Sequence, residues 1–233
     1  MAHDWFTLDE LSLQLGRDVR EVEKLVNRGR IPGHKRAGEW SFQATEVTQW
    51  LEQEMRTFSE PELAALENSH RSLEDDADVP VTSLMSLDTV QVPLEGRTKR
   101  SVLEGLVEVA GRTYQIWEPA TVLKAVLERE ELMSTAFDNG VAMPHPRQTL
   151  TGSIGDSVVA FGRTSSPIIF GAANNSLTDL FFLVICLDTK THLRVLARLG
   201  RMLQLPGFTQ SLRDAEDSET AYLRIREAEA AVR

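Results

Sequence analysis

The sequence predicts a layered α/β protein with a small helix-turn-helix domain in front of it. Three observations carry this. Strand-length apolar runs at 141–143, 157–162, 168–170 and 179–187 alternate with segments of helical period, the pattern of helices packed on a sheet. Residues 1–56 hold two short amphipathic helices separated by a three-residue, glycine-containing turn and followed by a hairpin, the spacing of a helix-turn-helix with a wing. Between these regions, residues 57–90 carry eight acidic side chains against one basic, Arg71, a composition that favours a solvated linker.

In the first region Thr7 is placed to cap a helix with Leu8, Leu11 and Leu15 on one face, and Asp9 and Glu10 suit its positive end. Gly16 ends it. Asp18 caps a second helix that runs to Arg28, with Val19, Val22, Leu25 and Val26 turned inward, and Gly29 closes it. A hairpin turning at Ala37-Gly38 follows, with Trp40 as core beneath it, and then a helix from Thr45 to Met55 presenting Val47, Trp50 and Leu51. Residues 60–73 read as an amphipathic tether, with Pro61 in its first turn and His70 an exposed bystander. The acidic run Glu74-Asp75-Asp76-Ala77-Asp78 reads as extended linker.

The third region, 91–233, opens with a helix capped at Ser101, where Ser101 and Glu104 have capping-box spacing and Leu103, Leu106, Val107 and Ala110 form the apolar face. A second helix starts at Pro119 and buries Val122, Leu123, Val126 and Leu127. After the strands, helices at 191–205 and 219–230 close the region.

Composition sets limits. With 42% apolar residues the chain can bury a core, and its longest apolar run, Leu180 to Leu187, is too short to span a bilayer. The start lacks a basic-then-apolar leader. These features predict a soluble, cytoplasmic protein with no membrane insertion. The lone Cys186 sits inside the apolar run and reads as a small core residue, which leaves no disulfide framework or cysteine metal site. The net charge of −10 speaks against nucleic acid only if evenly spread. Instead, Arg17, Arg20, Lys24, Arg28, Arg30, Lys35 and Arg36 cluster on the second helix and wing. Such a patch suits phosphates, while helix side chains reach base edges.

His145, in Val-Ala-Met-Pro-His-Pro-Arg, and His192, in Lys-Thr-His-Leu, each stand where an apolar run gives way to polar residues. Imidazole serves as nucleophile, base or metal ligand. No short spacing of further His, Cys, Asp or Glu ligands suggests zinc, so no metal is expected, and no cofactor. The Gly-x-Ser-x-Gly elbow of a serine hydrolase is missing, and so is a phosphate-cradling loop ending in Lys-Ser/Thr. What remains around His145 is a set of cations and hydroxyls: Arg129, Arg147, Ser134, Thr135 and His192. That set suits a phosphoryl group, whose transfer depends on positioning and on electrostatic complement to three equatorial oxygens. The start of the helix near Thr191 offers a dipole as well.

Two resemblances follow from these strings. Thr7-Leu8-Asp9-Glu10-Leu11, Leu15-Gly16, Val26-Asn27-Arg28-Gly29-Arg30-Ile31-Pro32 and Gly38-Glu39-Trp40-Ser41-Phe42 resemble an excisionase or MerR-like winged-helix module. This implies DNA binding, with Arg20, Glu21, Lys24 and Arg28 on the recognition helix and Lys35 and Arg36 on the wing. Arg17-Asp18-Val19-Arg20 departs from the small hydroxyl residues usual at that helix start.

From about residue 87 to 230 the chain resembles the fructose/mannitol-type enzyme IIA domain of the phosphoenolpyruvate phosphotransferase system, most of all its nitrogen-regulatory branch. The strings are Val126-Leu127-Glu128-Arg129-Glu130-Glu131-Leu132, Ser134-Thr135, Asn139-Gly140-Val141-Ala142-Met143-Pro144-His145 and Asp188-Thr189-Lys190-Thr191-His192-Leu193. The resemblance implies a mixed β-sheet flanked by helices. It makes His145 the phospho-accepting residue, served by an HPr-like carrier, with His192 and Arg129 around the phosphate. Pro146 replaces a usual small residue and removes an N–H, and Asp138 adds an acid where Gly or Ala is usual. Either change opposes phosphorylation, and Arg147 is placed to compensate. The expected function is a phosphotransferase-linked transcription regulator. Its rivals are a phosphocarrier feeding a sugar permease subunit and an anion or partner sensor without phosphoryl chemistry. Two-fold DNA sites would call for a homodimer, although no heptad seam is visible.

Overall fold

The structure, a computed structural model, describes residues 5–36, 38–71 and 81–233. It forms two compact units, 1–78 and 79–233. The acidic run 74–78, Leu73 and the turn residue Ala37 lie outside the described residues.

In the first unit the order is β1 (Trp5–Phe6), α1 (Leu8–Leu15), α2 (Val19–Asn27), β2 (His34–Arg36), β3 (Glu39–Gln43), α3 (Ala44–Glu54) and α4 (Glu60–Ser69). Thr7 closes a capping box with Glu10, and Asp18 accepts from the Arg20 N–H to start α2. Gly16 ends α1 at φ +62° in the left-handed region, and a Cβ there would meet the Ala65 carbonyl oxygen at 2.8 Å. Two demands thus fall on one position, left-handed backbone and close approach of α4. Leu11, Leu15, Val22, Val26, Phe42, Val47 and Leu51 are buried, and β1 and β2 flank β3 in an antiparallel sheet.

Several details differ from expectation. The pair Trp5–Phe6 forms a strand against Phe42 and Gln43 that is too short to show periodicity. Val19, the first residue of α2, is exposed although Val22 and Val26 on the same face are buried. Trp40 is half-buried and stacks on Phe42, and it is Phe42 that fills the core. Residues 60–69 are no tether: α4 packs on α1, Ser69 Oγ donating to the Gln14 carbonyl at 2.8 Å and Arg17 pairing with Glu62 at 2.8 Å. His70 is buried, since its spacing from Leu63 and Leu66 sets it on the same helical face.

The second unit runs β4 (Val90–Leu94), α5 (Lys99–Gly111), α6 (Pro119–Leu132), β5 (Val141–Ala142), β6 (Val158–Ile168), β7 (Thr178–Ile185), α7 (Thr189–Leu203), α8 (Phe208–Arg213) and α9 (Ser218–Ala231). Two 3-10 turns, Val81–Leu84 and Leu87–Thr89, precede β4. The sheet order is β4-β6-β7-β5, with β6 and β7 antiparallel and each edge strand parallel to its neighbour. Pro93, which lacks an N–H, sits on an edge strand where that costs least.

Alternation along the central strands fills both faces. Val158 and Ala160 pair with Ile185 and Leu183 and face a cluster with Leu103, Leu106, Val122 and Val126 of α5 and α6. Val159, Phe161, Phe182 and Val184 point to the other face, where α7, α8 and α9 pack, and the Phe161 and Phe182 rings meet at 4.8 Å. The helix expected at Ser101 starts earlier: Thr98 is the cap and Ser101 its third residue, so the box is Thr98–Ser101 and not Ser101–Glu104. The run 157–162 and the start of the run 168–170 fall on one strand, β6, which ends at Ile168 and has an irregularity after Arg163. Strand β4 and helix α8 were not visible as patterns. Cys186 is buried, and burial in apolar surroundings pushes its thiol up to about 12.

Candidate functional site

His145 follows the edge strand β5. The strand is pinned on one side by β7 and on the other by the segment after α6, where Ala136 bridges Ala142, the Phe137 N–H donates to the Val141 carbonyl at 2.7 Å and the Met143 N–H to the Thr135 carbonyl at 3.3 Å. The Val184 N–H holds the Pro144 carbonyl at 2.9 Å, so the backbone on the N-terminal side of His145 is fixed.

The His145 ring is oriented by its own strand. Nδ1 lies 2.7 Å from the Met143 carbonyl oxygen. A carbonyl can only accept, so Nδ1 carries a hydrogen, and in the neutral ring Nε2 is the nitrogen with the lone pair. The His192 ring stands edge-on to it, centroids 5.0 Å apart at 61°. His192 comes from the first turn of α7, whose start is set by Asp188: its carboxylate accepts from the Thr191 N–H at 2.9 Å and hydroxyl at 2.7 Å. Both rings are buried.

The structure brings His145 and His192 together. The other site residues named from sequence stand around them in different ways. Arg129, buried in the last turn of α6, donates from Nη1 to the Met133 carbonyl at 3.0 Å. Thr135 is buried and gives its hydroxyl hydrogen to Glu130 at 2.7 Å. Ser134 donates to the Phe170 carbonyl at 3.1 Å and accepts from the Ala136 N–H at 3.2 Å. The two hydroxyls therefore brace the turn after α6. Arg147 is exposed, and Pro146 behind His145 is buried. Asp138 is exposed, its carbonyl 3.4 Å from Asn174 Nδ2.

Two groups that the sequence did not single out hold this region. The Glu130 carboxylate is almost fully buried, takes the Thr135 N–H on both oxygens at 3.1 and 3.0 Å, and pairs with Lys99 at 3.3 Å. Arg213, at the end of α8, grips Asp179 with two bonds of 2.8 and 2.9 Å and donates to the Asn139 carbonyl at 2.7 Å. Gly140, at φ +85°, leaves room for that guanidinium; a Cβ would meet Arg213 Nη2 at 2.6 Å. Glu130 was signalled only by standing next to Arg129, and Arg213 by nothing local.

In the first unit Arg20 and Lys24 on α2 and Arg28 at its C-cap follow one another at four-residue spacing, all exposed. Lys35 and Arg36 are exposed on β2. The Arg36 guanidinium lies 4.0 Å over the Trp5 ring and Lys35 Nζ 5.6 Å from the Trp40 ring, so aromatic faces carry the wing cations.

A mixed four-stranded sheet between helical layers, with paired histidines at one strand's end, defines a domain of the enzyme IIA class of the sugar phosphotransferase system. Residues 83–228 match the family described as "Phosphoenolpyruvate-dependent sugar phosphotransferase system, EIIA 2", and the chain belongs to it. Residues 5–55 match a helix-turn-helix domain family. The nitrogen regulatory protein of Escherichia coli is 30% identical over 157 residues, which span 66% of this chain and 94% of that protein. The fructose-specific EIIABC component of Bacillus subtilis is 27% identical over 147 residues, 62% of this chain but only 22% of that longer protein. Among solved structures, nitrogen regulatory protein IIA-Ntr from Neisseria meningitidis superposes with a TM-score of 0.57 at 24% identity, covering 62% of this chain and 98% of that one. IIA mannitol from E. coli gives 0.53 at 17%, covering 60% and 98%. At these identities the structural likenesses establish the fold alone. The chain thus joins a phosphotransferase-linked EIIA domain to an N-terminal helix-turn-helix domain, and no helix among the described residues is long and apolar enough to cross a membrane.

Proposed function

We propose that this protein is a phosphotransferase-linked regulator: it accepts a phosphoryl group on His145 from an HPr-like phosphohistidine carrier and binds DNA through its first unit. The observation that carries this reading is the hydrogen bond from His145 Nδ1 to the Met143 carbonyl, which reserves Nε2 as the nucleophile. In the transfer the donor's nitrogen–phosphorus bond breaks as the Nε2–phosphorus bond forms, and the electron pair of the broken bond stays on the donor ring. Charge is spread over three equatorial oxygens in that transition state, so a nearby donor such as His192 at a helix start favours it.

The DNA-binding half rests on the exposed cation row of α2 and on the aromatic-backed wing. A phosphohistidine adds about −1.5 to −2 charges near neutral pH by analogy with other phosphorylated side chains, a change large enough to alter binding to an anionic polymer. The test uses phosphoenolpyruvate, enzyme I and HPr with the full chain. Acid-labile phosphate should appear, vanish in His145→Ala, and change a salt-dependent gel shift. No phosphate on the wild-type chain removes the carrier role, and no shift even at low salt removes DNA binding. One feature favours a second reading, an anion or partner sensor: Pro146 takes away a backbone N–H beside the ring that would otherwise serve a bound phosphate.

A further inference from the structure

We infer that Glu130 is a positioning residue for His145, and this inference rests on the phospho-acceptor reading above. The connection is a chain of hydrogen bonds that all donate in one direction. His145 Nδ1 donates to the Met143 carbonyl at 2.7 Å, the Met143 N–H to the Thr135 carbonyl at 3.3 Å, and the Thr135 N–H to both oxygens of Glu130. The Thr135 hydroxyl adds a further bond at 2.7 Å to the same carboxylate.

The chain ends on the buried carboxylate of Glu130. A buried carboxylate is costly to desolvate unless paired and fully bonded, and this one is supplied with Lys99 Nζ at 3.3 Å and with two donors from one residue, the Thr135 N–H and hydroxyl. All of that anchoring acts on a single point, Thr135. Thr135 in turn is one of two strands' worth of contact that set where the Met143 carbonyl stands, the Ala136–Ala142 bridge lying between them. The Met143 carbonyl decides which nitrogen of His145 carries the hydrogen. Glu130 thus sets the ring's tautomer and aim at second hand, touching neither the ring nor an incoming phosphate. Buried Arg129, the neighbouring residue on α6, ties the same turn at the Met133 carbonyl.

Glu130→Gln is the decisive variant, because it keeps the size and breaks the bonding. One oxygen faces Lys99 Nζ and the Thr135 N–H, the other the Thr135 N–H and hydroxyl. An amide NH2 in either place sets donor against donor. A one-ångström misplacement of reacting groups is enough to cost about a hundredfold in rate. In the full chain, Glu130→Gln should lower the maximal rate of phosphorylation by roughly ten- to a hundredfold while leaving the KM for phosphorylated HPr within about twofold. Thr135→Val, which keeps the N–H, should fall much less.

The second readout needs no phosphorylation. In long-range 15N–1H spectra of the unphosphorylated chain, His145 should show a protonated Nδ1 and a bare Nε2 in wild type, and mixed tautomers in Glu130→Gln. Wild-type tautomer and wild-type rate in a folded Glu130→Gln chain would overturn the inference. If the wild-type chain takes no phosphate, the phospho-acceptor reading fails, and the spectra still decide whether Glu130 sets the ring.

Discussion

The two units use charge for opposite purposes. In the first, the cations at positions 20, 24, 28, 35 and 36 stand in solvent, where their charge reaches outward and their removal leaves the core untouched. In the second, the informative charges are buried, or half-buried in the case of Arg213, and they hold backbone in place. Glu130 holds the turn after α6, Arg213 holds the turn before β5, and Glu229 accepts from the Val81 and Thr82 N–H groups and pairs with Arg198 at 3.5 Å. Exposed charge provides an interface that salt can tune, and buried charge provides geometry that salt barely reaches.

The largest break in this contrast should come from Glu229→Ala. It strips a carboxylate from four donors and leaves Arg198 buried, a loss of the kind that costs about 3–5 kcal/mol when one partner of a buried pair is removed. Denaturant melts of the second unit, followed by Trp117 fluorescence, measure it. A loss below about 1 kcal/mol would mean that Glu229 behaves like a surface charge.

Arg213→Met should come next, at about 1–3 kcal/mol, because it orphans Asp179 and frees the Asn139 carbonyl. It tests something besides stability. The turn it releases leads into the strand that ends at His145, so the phosphorylation rate should drop while melts still show a folded chain. A variant that lowers stability and leaves the rate intact would separate the clamp from the site.

How far the sequence foretold these features follows the same division. Local rules located the helices of the first unit almost to the residue, because Thr7, Gly16, Asp18 and Gly29 act on their immediate neighbours. The histidine pair was legible from the Pro-His and Thr-His strings. What stayed hidden depends on partners far away in the chain: α4 on α1 through Ser69 and Gln14, 55 residues apart, and Arg213 on Asp179, 34 apart. Thr98 was passed over as a cap because Ser101–Glu104 has the same spacing, and spacing alone cannot say which hydroxyl starts the helix. Residue type alone marks Ser134 and Thr135 as phosphate ligands. In this structure their hydroxyls brace the turn after α6, an acceptor choice that depends on how the chain folds and not on residue type.

In the first unit the expected stability changes are small and the functional ones large. Lys24→Ala and Arg28→Ala should each alter stability by less than about 0.5 kcal/mol. If these side chains meet DNA phosphates, each should reduce the salt dependence of binding, the slope of log K against log salt, by about 0.9. Titrations of binding at several salt concentrations check this. Unchanged slopes would move the contact surface away from α2.

The smallest effect concerns acid. The Ser59 N–H and hydroxyl, with Arg17 adding its charge, hold the Glu62 carboxyl below the ordinary glutamate range. A depressed folded value means that Glu62 contributes stability above its ordinary value of about 4.3, and that the contribution disappears as pH falls through the folded value. Glu62 is exposed and Arg17 half-buried, so solvent screening limits the contribution to a few tenths of a kcal/mol, at most about 1. Glu62→Gln should therefore melt slightly earlier than wild type at pH 7 and match it near pH 3. Asp217, which caps α9 by accepting from the Thr220 N–H and hydroxyl, is shifted in the same direction and should weaken over the same range. The contrast between the units predicts different responses to salt. Molar salt should shrink the Arg17 share of the Glu62 effect, and it should leave the hydrogen-bonded share of both caps in place.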